Sequence, residues 1–140
     1  MLVEAGGIPV ALVVAGANRH DMKLTEATLA GVPASVEALR WAAHEAGQAQ
    51  GLCLDKGYDY EEVRDIADAF GYTLHLRCRG EEKAEREAGK QARRWVVERT
   101  HSWFNRYRRL LVRWEKKSEN YLGQLHFAAA LITWNQCLFG

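Results

Sequence analysis

Gly51-Leu52-Cys53-Leu54-Asp55-Lys56-Gly57-Tyr58-Asp59-Tyr60-Glu61-Glu62 is the stretch on which the fold turns. A short apolar run halts at Asp55, Gly57 permits a turn, and Asp59 and Glu62 have the spacing of a capping box in its acidic form. The pattern predicts strand, turn and helix, with Val63, Ile66, Ala67 and Phe70 as the buried face and Gly71 at the C′ position. Tyr72 to Leu76 then reads as another strand, and strands alternating with helices point to an α/β fold. Asp55 closes the carboxyl end of a buried strand, where ligands collect in open α/β sheets. Alternatively it only shapes the turn, although Asp59 is available as cap and the turn does not need both.

Upstream, Leu2-Val3-Glu4 runs into Gly6-Gly7, and Pro9 is followed by the apolar stretch Val10 to Ala15, which predicts a β-hairpin. Its second strand is apolar on both faces and is expected at the middle of a covered sheet. Asp21 is placed to cap a helix containing Leu24, Ala27 and Thr28, which Pro33 interrupts. Val36, Leu39, Ala43 and Ala46 form the stripe of an amphipathic helix ending near Gly47. Downstream, Arg77 to Gly89 is a polar connection. A long basic helix is expected from about Lys90 to Trp114, with Val96, Trp103, Tyr107, Leu110 and Trp114 along one side. Ser118 can cap a final helix to about Leu138, whose apolar residues surround most of the cylinder, as in a buried helix.

The 140 residues are 48% hydrophobic and 26% charged, which fits one compact globular domain and excludes a disordered or low-complexity chain. Cys53, Cys78 and Cys137 are odd in number and lack CxxC spacing, arguing against a zinc site or disulfide framework and for a reducing cytoplasm. Neither a signal peptide nor a membrane span is indicated. The net charge of +1 conceals a strong polarity: Lys90 to Lys117 holds ten Lys or Arg against two Glu. A basic block of this kind is either a solvated helix face or a site for a polyanion.

Within that block, helical spacing puts Arg94, Glu98, His101 and Asn105 on one polar stripe. Glu98 could simply pair with Arg94, a contact worth a few tenths of a kcal/mol. Yet a carboxylate from a strand end and one from a helix are also what a pair of Mg²⁺ ions needs, since these ions prefer oxygen ligands and keep positions open for phosphate and water. The Glu98-x-x-His101 spacing of di-iron bundles lacks its required second pair. His20 and Asp21 stand isolated in a turn.

Four blocks carry a resemblance: Ala5-Gly6-Gly7-Ile8-Pro9, Gly16-Ala17-Asn18-Arg19-His20-Asp21, Leu54-Asp55-Lys56-Gly57-Tyr58-Asp59, and Arg93-Arg94-Trp95-Val96-Val97-Glu98-Arg99-Thr100. With Trp103-Phe104-Asn105-Arg106-Tyr107-Arg108-Arg109-Leu110, they resemble, in order, the successive blocks of insertion sequence 5-like transposases of the DDE class. The resemblance implies a truncated ribonuclease H-like fold, a mixed sheet with flanking helices, in which two Asp and one Glu bind Mg²⁺ or Mn²⁺ for DNA cleavage and strand transfer. Asp55 matches the second Asp and Glu98 the Glu. The first lies in such proteins upstream of the segment beginning at Leu2, and Glu4 and Asp21 do not replace it by motif. Around the family's Glu, Arg94 matches, whereas Gln91 stands for a Tyr and Asn105 for a Lys, with Arg106 adjacent. The resemblance further implies double-stranded DNA and transposon ends as partners, met by Arg93, Arg94, Arg99, Arg106, Arg108, Arg109 and Arg113. Association with itself or with a full-length transposase follows from the same reading, as does activity lost for want of the first Asp. The competing reading is a non-catalytic DNA-binding or regulatory fragment.

Overall fold

The computed structural model describes residues 1–76 and 95–140. The polar connection Arg77 to Gly89, the start of the basic helix at Lys90, and Arg93 and Arg94 lie outside the described residues. Contacts divide the chain into two compact units, residues 1–16 with 94–140 and residues 17–93.

In the first unit, β1 (Leu2–Val3) pairs antiparallel with β2 (Pro9–Ala11) across the expected double-glycine turn. Glu4 ties this turn by both backbone and side chain: its N–H donates to the Ile8 carbonyl at 3.0 Å and its carboxylate accepts from the Ile8 N–H at 3.0 Å. Gly7 has φ +90°, a conformation that L side chains rarely adopt. β2 is shorter than the apolar run Val10 to Ala15, because residues beyond Ala11 have no ladder partner among the described residues.

The long basic helix is two helices, α4 (Trp95–Phe104) and the single turn α5 (Arg108–Leu111). Packing explains the break. In one continuous helix Phe104 and Leu110 would point about 120° apart, yet both are buried in one core with Ala128 and Ile132. The chain tightens through i→i+3 bonds from the Arg106 and Tyr107 N–H groups to the Trp103 and Phe104 carbonyls, then restarts at Arg108. Trp114, expected on the buried side, is 73% exposed as a consequence. The final helix, α6 (Ser118–Phe139), starts at Lys117 as N-cap, so Ser118 is its first residue and not its cap. Nor is it buried all round. Ala128 and Ile132 face the core, whereas Phe127, Trp134 and Leu138 are exposed.

In the second unit a 3₁₀ turn, Asp21–Leu24, leads into α1 (Thr25–Ala30). Asp21 lies inside this turn, and His20 occupies the cap position without a side-chain bond. Pro33 opens α2 (Ala34–Glu45). Its expected apolar stripe does not face inward: Val36 and Leu39 are exposed, and the buried residue is Arg40. The Arg40 guanidinium donates to the carbonyl of Phe70 and to Glu37 (3.3 Å), and lies over the rings of Trp41 and Tyr72. A cation directed at an orphan helix-terminal carbonyl is stabilising, which offsets its burial.

That carbonyl belongs to the unit's βαβ segment. β3 (Gly51–Leu54) and β4 (Thr73–Leu76) pair in parallel, Gly51 opposite Thr73 through Leu54 opposite Leu76, joined by α3 (Glu61–Ala69). Val63 and Ala67 of α3 are fully buried, Ile66 and Phe70 partly, as its periodicity requires. Gly71, at φ +68°, ends the helix at C′. The described strands thus form an α/β arrangement with one antiparallel and one parallel pair, each a two-stranded sheet, in place of a single mixed sheet.

Candidate active site

Asp55 follows β3 directly and is exposed at its carboxyl end. Its carboxylate accepts from the Lys56 N–H at 2.6 Å and caps a single 3₁₀ turn, Lys56–Tyr58. Asp59 does not cap the following helix. Tyr60 holds that position without a side-chain bond, and the Asp59 carboxylate instead pairs with the Arg64 guanidinium. Both aspartates therefore have structural work, against the expectation that Asp59 alone would suffice. The turn also has a neighbour that sequence reasoning missed. Burial raises the Tyr58 phenol above its usual pKa, and the carboxylates of Asp21 and Asp55 raise it further. The ring of His20 meets that of Tyr60 edge to face, with centroids 5.8 Å apart. The polar turn around Asp21 is therefore packed on the turn that carries Asp55, although nothing local links them in the sequence.

Glu98 is exposed on α4, as are His101 on the same helix and Asn105 just beyond it. The His101 imidazole is held below its ordinary pKa, first by desolvation and then by the α-amino group of Met1. On the other side of α4, Thr100 is fully buried, its hydroxyl 2.6 Å from the Gly7 carbonyl and 3.1 Å from that of Val96. Arg99 lies between two tryptophan rings, 4.5 Å from the Trp95 centroid and 5.0 Å from that of Trp103, and donates to the Gly6 carbonyl. A Cβ on Gly7 would stand 3.0 Å from that guanidinium and 3.1 Å from the Thr100 hydroxyl. The glycine pair is thus the seat of α4 as well as the turn of a hairpin.

Of the arginines expected to meet DNA, Arg99 is occupied by the protein itself. Arg106 and Arg108 are exposed, Arg109 forms a 3.0 Å pair with Glu115 while remaining 74% exposed, and Arg113 lies over the Tyr121 ring. Among the described residues no three His, Cys, Asp or Glu side chains gather as a metal site. Asp55 and Glu98 belong to different units.

Residues 52–135 match the family model described as the transposase DDE domain. The chain belongs to that family. This DDE domain is also 31% identical, over 135 residues and 96% of its length, to a protein from Burkholderia cepacia assigned as a transposase for insertion sequence element IS402. The chain spans about three fifths of that relative's length (61%). No solved structure matches it. The matched region contains both Asp55 and Glu98. No helix among the described residues of this DDE domain is long and apolar enough to cross a membrane.

Proposed function

We propose that this chain is part of the ribonuclease H-like catalytic domain of a DNA transposase, in which Asp55 and Glu98 are ligands for divalent metal, Mg²⁺ or Mn²⁺. The observation that carries the reading is an exposed aspartate at the carboxyl end of β3, within a parallel βαβ segment that lies inside the matched DDE region. Hard carboxylate oxygens on both residues suit such an ion, so the donor chemistry fits. The bound ion would supply Lewis acidity and a lowered pKa for water or a 3′-hydroxyl.

The protein's own residues have narrower tasks. Asp55 is held by the Lys56 N–H, which fixes its carboxylate at the strand end. Glu98 stands on α4, a helix whose rotation is set by Thr100 and Arg99 docking on Gly6 and Gly7. Arg106, Arg108, Arg109 and Arg113 neutralise DNA phosphates. The third carboxylate implied by the resemblance has no position between Met1 and Gly140, so the chain alone is expected to bind DNA without cutting it.

In a protein that carries this third carboxylate, Asp55→Asn or Glu98→Gln abolishes Mg²⁺- or Mn²⁺-dependent cleavage of DNA bearing its cognate ends, while DNA affinity stays within about twofold because the basic surface is unaltered. Cleavage that persists in either variant would remove that residue from the metal site.

A further inference from the structure

The segment Arg108 to Lys117 holds three exposed apolar side chains, Leu111 (62%), Val112 (52%) and Trp114 (73%), among Arg108, Arg109, Arg113, Lys116 and Lys117. A flexible loop would let the tryptophan fold back onto the protein, but this one is tied at several points. Glu115, 18% exposed, accepts from Arg109 at 3.0 Å and from Gln124 of α6 at 2.7 Å. Arg113 lies over the Tyr121 ring, and the Tyr121 hydroxyl is 3.4 Å from the Leu110 carbonyl. Glu115 is thus drawn inward while its neighbour Trp114 is exposed, with Arg113, Lys116 and Lys117 close to it in the sequence.

We propose that Trp114 stacks on an unpaired DNA base while cations of the same segment hold the adjoining phosphates. The inference rests on the DNA reading above and deepens it from phosphate contact to base contact. Charge complementarity selects the occupant: the segment carries five cations against one carboxylate, so the partner is anionic. The outward indole requires a flat apolar face beside those anionic groups, and nucleic acid with accessible bases offers both. An intact duplex hides its base faces, so the site favours the unpaired bases of a flap.

The test uses the 140-residue chain, a fluorescent 20-base-pair blunt duplex, and the same duplex with a four-thymine flap, read by polarisation. The wild type is expected to prefer the flapped duplex, and Trp114→Ala to weaken flap binding by about tenfold, within the range for base–aromatic stacking. The blunt duplex should bind both proteins equally with the same salt slope, and Trp114→Phe should recover most of the preference. Equal flap affinity in wild type and Trp114→Ala, with blunt binding intact, overturns this proposal and leaves the DNA reading standing. Absence of salt-dependent binding to either duplex overturns the DNA reading itself. Binding to phosphatidylserine vesicles that Trp114→Ala removes, with flap binding unchanged, would assign the surface to a membrane instead.

Discussion

Two neighbouring segments of the first unit use arginine and tryptophan to opposite ends. In α4, Arg99 is closed in between Trp95 and Trp103 and spends its donors on the Gly6 carbonyl. In residues 108–117 the arginines are exposed, and Trp114 stands out from a loop that Glu115 anchors. The difference lies in spacing. Tryptophans four residues before and after an arginine share its helix face and can enclose it, whereas Arg113 and Trp114 are adjacent in an irregular loop, with Arg113 over the Tyr121 ring and Trp114 exposed. Positive charge in a sequence is therefore open to a polyanion only where the fold leaves the cation exposed.

The contrast can be broken by substitution. Changing Arg106, Arg108 and Arg109 together to Ala should lower duplex affinity on the order of a hundredfold at low salt and reduce the salt slope by roughly 3, with little effect on thermal stability. Changing Arg99 to Met should do the reverse. It removes a carbonyl hydrogen bond and two cation–π contacts, for a loss of about 2 kcal/mol in denaturant unfolding, and leaves the salt slope as it was. A slope that fell in Arg99→Met as much as in the triple variant would end the distinction. Thr100→Val should cost about 1 kcal/mol, since the Gly7 carbonyl loses its donor while the volume is kept.

The smallest effect concerns pH. His101 has a folded pKa below the ordinary 6.5, so its contribution to stability is complete above that value and is lost as pH falls through the folded value. His101→Gln should flatten this acid-side decline, and unfolding curves between pH 7 and pH 5 that remain parallel for the two proteins would contradict it.

The βαβ segment was legible because its signals are local: an apolar run stopped by Asp55, a helical period from Val63 to Phe70, and a glycine where φ must be positive. Arg40 was not, because what buries it is a carbonyl thirty residues away at the end of another helix. The break after Phe104 was equally hidden. The helical period runs on past it without a proline or glycine, and only the need of Leu110 to share a core with Ile132 ends the helix. At the candidate site, the strand end marked Asp55, and the block around Glu98 supported the family that the comparisons then showed. The dual use of Asp55 as turn cap and proposed ligand, and the packing of the Asp21 turn beside it, depend on contacts that no local pattern encodes.

Asp55 and Glu98 are each proposed as a metal ligand, and paramagnetic Mn²⁺ tests this even where binding is weak. In heteronuclear spectra of the 140-residue chain, the amide signals around Asp55 and those around Glu98 should broaden on addition of Mn²⁺, with Asp55→Asn abolishing the broadening around residue 55 and Glu98→Gln that around residue 98. Broadening that survives substitution of the residue it surrounds, or that appears at neither residue, would contradict the metal-ligand reading.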